Sequence, residues 1–242
     1  MNYKLYISYD GTNFSGWQIQ PDVRTVQQDL QNAIQGIYKD STIKLYGSGR
    51  TDSGVHAYGQ IANFYIDTKM TVDQIIKAIN SKIKRDIYVY KCEIVDENFN
   101  SRFSAKNREY IYKISKIFDP FSRNYTWFVS YDLDIDKLHD CAKYITGNHD
   151  FKLFCKSLSL KEKNNCIITE SSWSVQGNCI IYKISANRFL HHMVRMLVGT
   201  MIEVSKGSLP IDIFYNMVRA ENLKSHVVTC PSNGLYLNKV NY

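Results

Sequence analysis

The order of strand-like and helix-like segments in the first 95 residues is the feature that most restricts the fold. Strands are predicted where apolar and polar residues alternate, and helices where apolar residues recur every three or four positions. The segments alternate as strand, helix, strand, strand, helix and strand, over residues 3–9, 25–38, 42–46, 60–66, 71–83 and 87–95. Both helices start with Thr-x-x-Gln, which predicts capping boxes from Thr25 to Gln28 and from Thr71 to Gln74. This pattern predicts a domain of the α+β class.

The second half of the chain carries a comparable series of segments. A strand, a helix, a hairpin around Gly177, a long apolar helix, a short helix and a last strand are predicted at residues 109–117, 136–145, 169–186, 189–204, 210–219 and 235–240. The order in the first half resembles a ferredoxin-like split βαβ unit. The two halves share element order more than sequence, which is compatible with a duplication of one α+β unit.

Composition narrows the functional classes. The chain has 242 residues, 44% of them apolar, which suffices for a substantial core. The formal charge of +7 suits a polyanionic partner. The six cysteines include no Cys-x-x-Cys pair, so we expect no metal site. In a cytosolic chain their thiols are expected to be reduced. We expect no leader peptide, and no apolar stretch of the sequence is long enough to span a membrane. We therefore predict a cytoplasmic protein.

The run from Gly47 to His56 carries the strongest chemical signal. It reads Gly-Ser-Gly-Arg-Thr-Asp-Ser-Gly-Val-His and places Asp52 among small, turn-forming residues between two predicted strands. Catalytic groups often lie on such loops. Arg50 and His56 are expected to supply positive charge that favours the ionised carboxylate. The alternative is an ordinary polar turn with a surface arginine.

Three motifs resemble those of the TruA family of tRNA pseudouridine synthases. The Asp52 run matches Gly-Arg-Thr-Asp-x-Gly-Val-His-Ala-x-Gly-Gln, with Ser53 in place of the usual alanine. The stretch from Arg102 to Tyr112 resembles the second motif, and residues 187–199 resemble the third. Shorter matches at residues 10–20, 147–151 and 231–237 extend the resemblance over nearly the whole chain, although Cys230 stands where alanine is usual and the lysine-rich loop 156–165 has no counterpart.

The resemblance implies the pseudouridine synthase fold. It predicts two ferredoxin-like, RRM-like α+β domains, an N-terminal domain over residues 1–104 and a C-terminal domain over residues 105–242, with joined antiparallel sheets and a central active-site cleft. It implies a homodimer that isomerises uridine to pseudouridine in the anticodon arm of tRNA (tRNA positions 38–40), without cofactor or metal. Asp52 would be the catalytic nucleophile on a flipped-out uridine. Tyr110 would line the uracil pocket, and Arg50 would assist base flipping. The alternatives are a core tyrosine of the strand for Tyr110 and a structural ion pair with Asp52 for Arg50.

The third motif lies in a predicted buried helix. Arg188, His192, Arg195 and Gly199 are spaced by four, three and four residues, so they are expected to share one face of it. A buried arginine needs an anion, and Asp52 is the best candidate for Arg195. The alternative for Arg195 is a side chain that reaches the surface from a packed helix.

Basic residues near the motifs could follow an RNA backbone. The candidates are Arg24, Arg85, Arg102, Lys106, Arg108 and Arg123. Arg102 is the strongest, because it lies inside a matched motif.

Two other functions fit parts of the sequence. Asp52-Ser53-Gly54 matches the aspartic protease triplet, but those enzymes need two carboxylates and the chain has one such triplet. An RNA-binding module without catalysis, or the same chemistry on a different uridine or RNA, is the nearer alternative.

Overall fold

The structure is a computed structural model that describes residues 1–160, 162–221 and 227–242. It divides into two compact units. The first comprises Met1–Lys106 with Tyr236–Tyr242, and the second comprises Asn107–Leu235. The last strand therefore packs with the first unit, whereas the prediction assigned it to a C-terminal domain; division into two domains at residue 104 stays a prediction.

The first unit has the predicted strand–helix–strand–strand–helix–strand order. Its elements are β1 (Asn2–Tyr9), α1 (Val26–Tyr38), β2 (Tyr46–Gly47), β3 (His56–Tyr65), α2 (Val72–Lys82), β4 (Ile87–Val95) and the returning strand β10 (Leu235–Asn241). The sheet order is β4–β1–β3–β10, with β2 also paired to β3. β1 is antiparallel to both of its neighbours, whereas β10 runs parallel to β3. The α+β prediction is confirmed.

Alternating residues of β1 build the core of this unit. Tyr3, Leu5 and Ile7 are buried, and they alternate with half-buried polar or aromatic residues because successive side chains point to opposite faces. The apolar stripes of the two helices are buried as well, through Val26, Leu30, Ala33, Ile34, Ile75 and Ile79. The buried side chains of β1 therefore fix the strand that leads into the loop at residues 10–20, which is called the first loop below.

Over the residues that the structure describes, the second unit combines a sheet with three α-helices. Its elements are β5 (Asn107–Ser115), β6 (Trp127–Phe128), α3 (Ile135–Tyr144), β7 (Gly147–Asp150), β8 (Asn165–Gln176), β9 (Cys179–Ala186), α4 (Met193–Ser205) and α5 (Ile211–Val218). The sheet order is β5–β9–β8–β7. The predicted hairpin is confirmed, with Gly177 at a φ of 58° in its turn. Within the predicted loop 156–165, a short 3₁₀ turn occupies Ser157–Ser159, and Lys161 lies outside the described residues.

Two predicted elements in the first unit are wrong in detail. The strand predicted at 42–46 is absent before Tyr46, because Asp40 Oδ1 accepts hydrogen bonds from Thr42 and Leu45 N–H donates to Gln31 of α1. These bonds tie the segment to a turn and a helix. The following strand begins at His56 rather than at residue 60.

Of the two predicted capping boxes, one is present. Thr71 and Gln74 exchange both bonds of the box at the start of α2. Thr25 is the N-cap of α1 but makes no side-chain cap bond, and its buried Oγ1 has no hydrogen-bond partner among the described residues.

The long helix was predicted to start too early. α4 begins at Met193, because His192 adopts the left-handed conformation with a φ of 65°. Arg188 and His192 therefore lie outside the helix, and the prediction that they share a helical face with Arg195 and Gly199 is wrong. Among the described residues, none of the helices has both the length and the apolar character that a membrane crossing requires.

Candidate active site

Asp52 lies on the loop that connects β2 to β3 in the first unit. Its neighbour Thr51 is buried, and Asp52 itself is half-buried. The Thr51 hydroxyl lies 2.8 Å from the Tyr9 hydroxyl, and its carbonyl accepts a hydrogen bond from Trp17 N–H at 3.1 Å. The backbone next to the carboxylate is therefore held from both β1 and the first loop.

A glycine lets the first loop approach the Asp52 loop. Gly16 has a φ of 91°, and a Cβ at this position would lie 2.4 Å from the Thr51 carbonyl oxygen. Any other residue would combine a strained φ with a clash against backbone. The Gly16 position thus explains one glycine of the Asp10–Gln20 motif.

Ser53 adds a second tie between these loops. Its hydroxyl donates to the Phe14 carbonyl at 3.2 Å, and Gly54 N–H donates to the same oxygen at 3.2 Å. Gly54 has a φ of 75°, so this position also favours glycine. Because the backbone bond alone satisfies Phe14, the alanine usual at position 53 and the serine found here are both compatible with the loop.

Gln60 is a buried polar residue to which sequence reasoning gave no role. Its Oε1 accepts from the Ser48 hydroxyl at 2.7 Å and from Ile61 N–H at 3.1 Å, while its Nε2 donates to the Gly49 carbonyl at 3.0 Å. It therefore fixes the entry to the Asp52 loop from β3. Its place as the last residue of the matched Asp52 motif was the signal that could have identified it.

His56 does not match the expectation of a positively charged neighbour. Its Nδ1 accepts a hydrogen bond from Gly11 N–H at 3.0 Å, so that nitrogen carries no proton. Asp10 Oδ1 lies 3.2 Å from the same nitrogen, but it already accepts from Thr12 N–H at 3.0 Å. A backbone N–H can only donate, so we assign a neutral imidazole, stacked on Tyr236 at 4.7 Å between ring centroids.

Arg50 lies two residues before Asp52 and is exposed. Within the described part of the chain it makes no ion pair, so the alternative of a structural pair with Asp52 has no support. The guanidinium is accessible to an anionic ligand.

Arg24, by contrast, is already occupied. It pairs with Asp86 at 2.6 Å and with Asp29 at 2.7 Å, and its guanidinium lies 4.1 Å from the centroid of the Phe14 ring. Two carboxylates neutralise this arginine, so the expectation that it follows a phosphate backbone is not supported.

The second unit carries Tyr110 and Arg195. Tyr110 lies on β5 in register with Ile184 of β9, is largely buried, and packs edge-on against Phe189 with centroids 5.1 Å apart. Arg195 lies in α4 and donates from Nε to the Cys230 carbonyl at 2.9 Å. Tyr110 is thus held by packing and Arg195 by a backbone contact.

The segment at Val228–Cys230 is docked directly on α4. Cys230 N–H donates to the Arg195 carbonyl at 3.2 Å, and a Cβ on Gly199 would lie 2.3 Å from the Val228 carbonyl oxygen. The expectation that Gly199 allows another backbone to pass closely is confirmed.

Comparison with known proteins places the chain in a family. The family model described as tRNA pseudouridine synthase matches residues 5–104 and 141–242, which include the Asp52 loop and α4. The chain belongs to the tRNA pseudouridine synthase family. Tyr110 lies in the segment between the two matched stretches.

Curated relatives cover the chain almost completely. The tRNA pseudouridine synthase A of Brachyspira hyodysenteriae is 38% identical over 98% of this chain and 97% of its own length. Those of Limosilactobacillus reuteri and Bacillus pumilus are also 38% identical, over 99% and 100% of this chain and 96% and 99% of their own lengths. A solved archaeal box H/ACA sRNP Nop10–Cbf5 complex aligns with 83% of this chain and 43% of that chain, at a TM-score of 0.38 and 9% identity, a likeness too weak to add to the family assignment.

Proposed function

We propose that this protein isomerises uridine to pseudouridine in tRNA, with Asp52 as the catalytic nucleophile. The observation that carries the proposal is the family's Asp motif on a tightly anchored loop that leaves the carboxylate half-buried. Fixed positioning of a reacting group can supply several kcal/mol of the barrier reduction. A carboxylate is also among the side chains that form covalent intermediates.

The reaction is balanced without any external reagent. The bond between uracil N1 and ribose C1′ breaks, the base turns, and a bond forms between C5 and C1′. The proton lost from C5 is matched by one gained at N1. Asp52 would attack the sugar or the base, or stabilise a sugar intermediate, and each route uses the same carboxylate.

The remaining roles follow the family resemblance. Arg50, exposed beside Asp52, would assist flipping of the target uridine, a step that costs about a few kcal/mol. Tyr110 would stack on the uracil, Arg195 would bind the substrate, and Arg102 would contact RNA. We further propose uridines of the anticodon arm as targets, a homodimer as the working form and the cytoplasm as its location.

The deciding experiment is to map pseudouridine in unmodified tRNA transcripts after incubation with the protein. Carbodiimide-based sequencing is run on wild type, Asp52→Ala and Asp52→Asn. We expect an anticodon-arm mark that both variants lose, with a rate at least about 1000-fold lower. The matched control is Asp73→Asn, which changes an exposed aspartate in the first turn of α2 and should keep activity.

Each outcome separates the parts of the proposal. A mark that depends on Asp52 but lies elsewhere retains the chemistry and moves the substrate. Marks that persist in Asp52→Ala remove Asp52 as nucleophile. Wild-type protein that shifts tRNA on a gel but marks neither tRNA nor total cellular RNA is a binding module, and the proposed activity is then wrong.

A further inference from the structure

A tight turn at residues 100–104 holds two side chains out from the first unit. Asn100 Oδ1 accepts hydrogen bonds from Arg102 N–H at 3.0 Å and Phe103 N–H at 3.2 Å. Ser104 N–H donates to the Asn100 carbonyl at 2.9 Å, and Asn100 N–H donates to the Ser104 hydroxyl at 3.1 Å. The turn therefore has a fixed backbone conformation.

The same turn is anchored to the sheet that carries the Asp52 loop. Ser101 is fully buried; its N–H donates to Asn63 of β3 at 2.9 Å, and its hydroxyl donates to the carbonyl of Tyr46 in β2. Tyr46 precedes Asp52 by six residues, which span roughly 21 Å at most when fully extended. One folded RNA hairpin can contact a turn and a loop this close together.

The aromatic ring of Phe103 is exposed to solvent and adds little to the packing of the core. Its side chain is 80% exposed, although the turn around it is tied by four hydrogen bonds. The Arg102 guanidinium lies 5.5 Å from the centroid of its ring. An exposed aromatic ring beside an arginine on a fixed backbone is the arrangement that nucleic-acid-binding proteins use to stack an unpaired base.

The surrounding charge fits a phosphate backbone. Arg102, Lys106 and Lys44 are all exposed in this unit, and Lys106 lies two residues after the turn. Tyr46 and Tyr65, both partly exposed, pack edge-on nearby with centroids 6.4 Å apart. Positive charges with interleaved aromatic rings favour RNA over an apolar protein partner.

We propose that Phe103 stacks on an unpaired base that flanks the target uridine, while Arg102 contacts an adjacent phosphate. This inference deepens the proposed function and rests on it. The turn acts as a second recognition point for the RNA, outside the uridine pocket, and Phe103 is a specificity residue rather than a catalytic one.

The first test measures the affinity for an anticodon stem-loop RNA by filter binding, in an Asp52→Ala background so that no turnover occurs. We expect Phe103→Ala to weaken binding about 10- to 100-fold and Phe103→Trp to keep it. The matched control is Phe121→Ala, because Phe121 is 90% exposed and, as with Phe103 and Asn100, its N–H donates to a nearby side chain, here Asp119 Oδ1. Equal effects of the Phe103 and Phe121 changes would overturn the inference.

A second test identifies the base. Single abasic substitutions are placed along the loop of the RNA, and binding is measured with and without Phe103→Ala. We expect one abasic position to weaken binding to the protein that retains Phe103. The same abasic position should have little further effect on the Phe103→Ala protein, because both changes remove the same contact. Purely additive effects at every position would refute stacking.

Measurements of activity and of oligomeric state distinguish base stacking by Phe103 from the proposed enzymatic function and from a protein interface. With Asp52 restored, Phe103→Ala should raise KM and change kcat less than about threefold, because Phe103 does not touch the reacting atoms. If wild type forms no pseudouridine, the proposed function fails, whereas the binding comparison still tests the stacking. If Phe103→Ala instead dissociates an oligomer at sedimentation equilibrium, the ring serves a protein interface and the inference is wrong.

Discussion

Thr51, the residue before Asp52, carries a buried hydroxyl that is hydrogen-bonded to one side chain, that of Tyr9. The two hydroxyl oxygens lie 2.8 Å apart. Tyr9→Phe would leave the Thr51 hydroxyl buried without a partner, which costs about 1–3 kcal/mol. We expect Tyr9→Phe to lower the free energy of unfolding by this amount and to reduce kcat, since the backbone next to Asp52 loses a tie.

A second substitution tests this explanation. Thr51→Val has a similar shape and removes the hydroxyl that Tyr9→Phe leaves unpaired. Replacing both partners by apolar groups is close to neutral, so the double variant should be more stable than Tyr9→Phe alone. Urea denaturation of the four proteins measures this, and a double variant whose loss equals the sum of the single losses contradicts it.

At the level of single residues, the sequence predicted the candidate site residues, but it did not predict the contacts that hold them in place. The Asp52 motif could be recognised because its residues are contiguous. The anchors could not, since Tyr9 and Phe14 reach the Asp52 loop through contacts more than 35 residues away in sequence. The surroundings of His56 could not be predicted for the same reason, because the Gly11 N–H that donates to its Nδ1 lies 45 residues away in sequence.

Among the elements, α4 depends on one glycine for its contact with the Val228–Cys230 segment. A Cβ at Gly199 would lie 2.3 Å from the Val228 carbonyl oxygen and 2.9 Å from Cys230 N, both backbone atoms with little freedom to move. We expect Gly199→Ala to destabilise the protein by about 1–3 kcal/mol, as overpacking does. It should also lower activity, because the segment it displaces holds Arg195.

Gly36 of α1 provides the matched control. It also lies within a helix, and a Cβ there would meet nothing within 4 Å. Alanine at an open helical position is favoured over glycine by roughly 0.5–1 kcal/mol, so Gly36→Ala should stabilise the protein. Thermal denaturation of both variants measures the opposite signs, and a stabilised Gly199→Ala would show that the segment adjusts easily.

The element predictions succeeded where periodicity is long and failed at boundaries set by side chains or by φ. The 13-residue α1 and the 12-residue β8 were located within a few residues. The strand predicted before Tyr46 was lost to the hydrogen bonds that the Thr42 and Leu45 N–H groups donate to the side chains of Asp40 and Gln31, which do not alter hydrophobic alternation. The start of α4 moved to Met193 because of the left-handed His192, which its apolar surroundings gave no reason to expect.

For the whole molecule, the return of β10 to the first unit is the feature that local patterns could not predict. Sequence order suggested that the last strand completes the second half, whereas Tyr236 pairs in parallel with His56. Pairing partners are set by the packing of the complete sheet. A prediction from local periodicity therefore gives the class of each segment and leaves its neighbours open.

The buried thiols, which lie in both units, make a prediction for the pH dependence of global stability. Burial raises the pKa of Cys92, Cys141 and Cys230 to about 12 and that of Cys166 to about 11, against roughly 8.5 for an exposed thiol. Above about pH 9 the unfolded chain releases these protons and the folded chain keeps them, so stability must fall as pH rises toward 11. Below about pH 8 both states are protonated and the thiols contribute no slope.

Each such thiol adds up to about 1.4 kcal/mol of lost stability per pH unit above its unfolded pKa. Urea denaturation under reducing conditions from pH 7.5 to 10.5 measures the slope. Cys141→Ala should reduce it by about one proton, because one buried thiol no longer titrates on unfolding. Val204→Ala, another large-to-small change at a buried position, should lower stability equally at every pH. Parallel curves for Cys141→Ala and wild type would show that this thiol ionises as readily in the folded protein as in the unfolded chain.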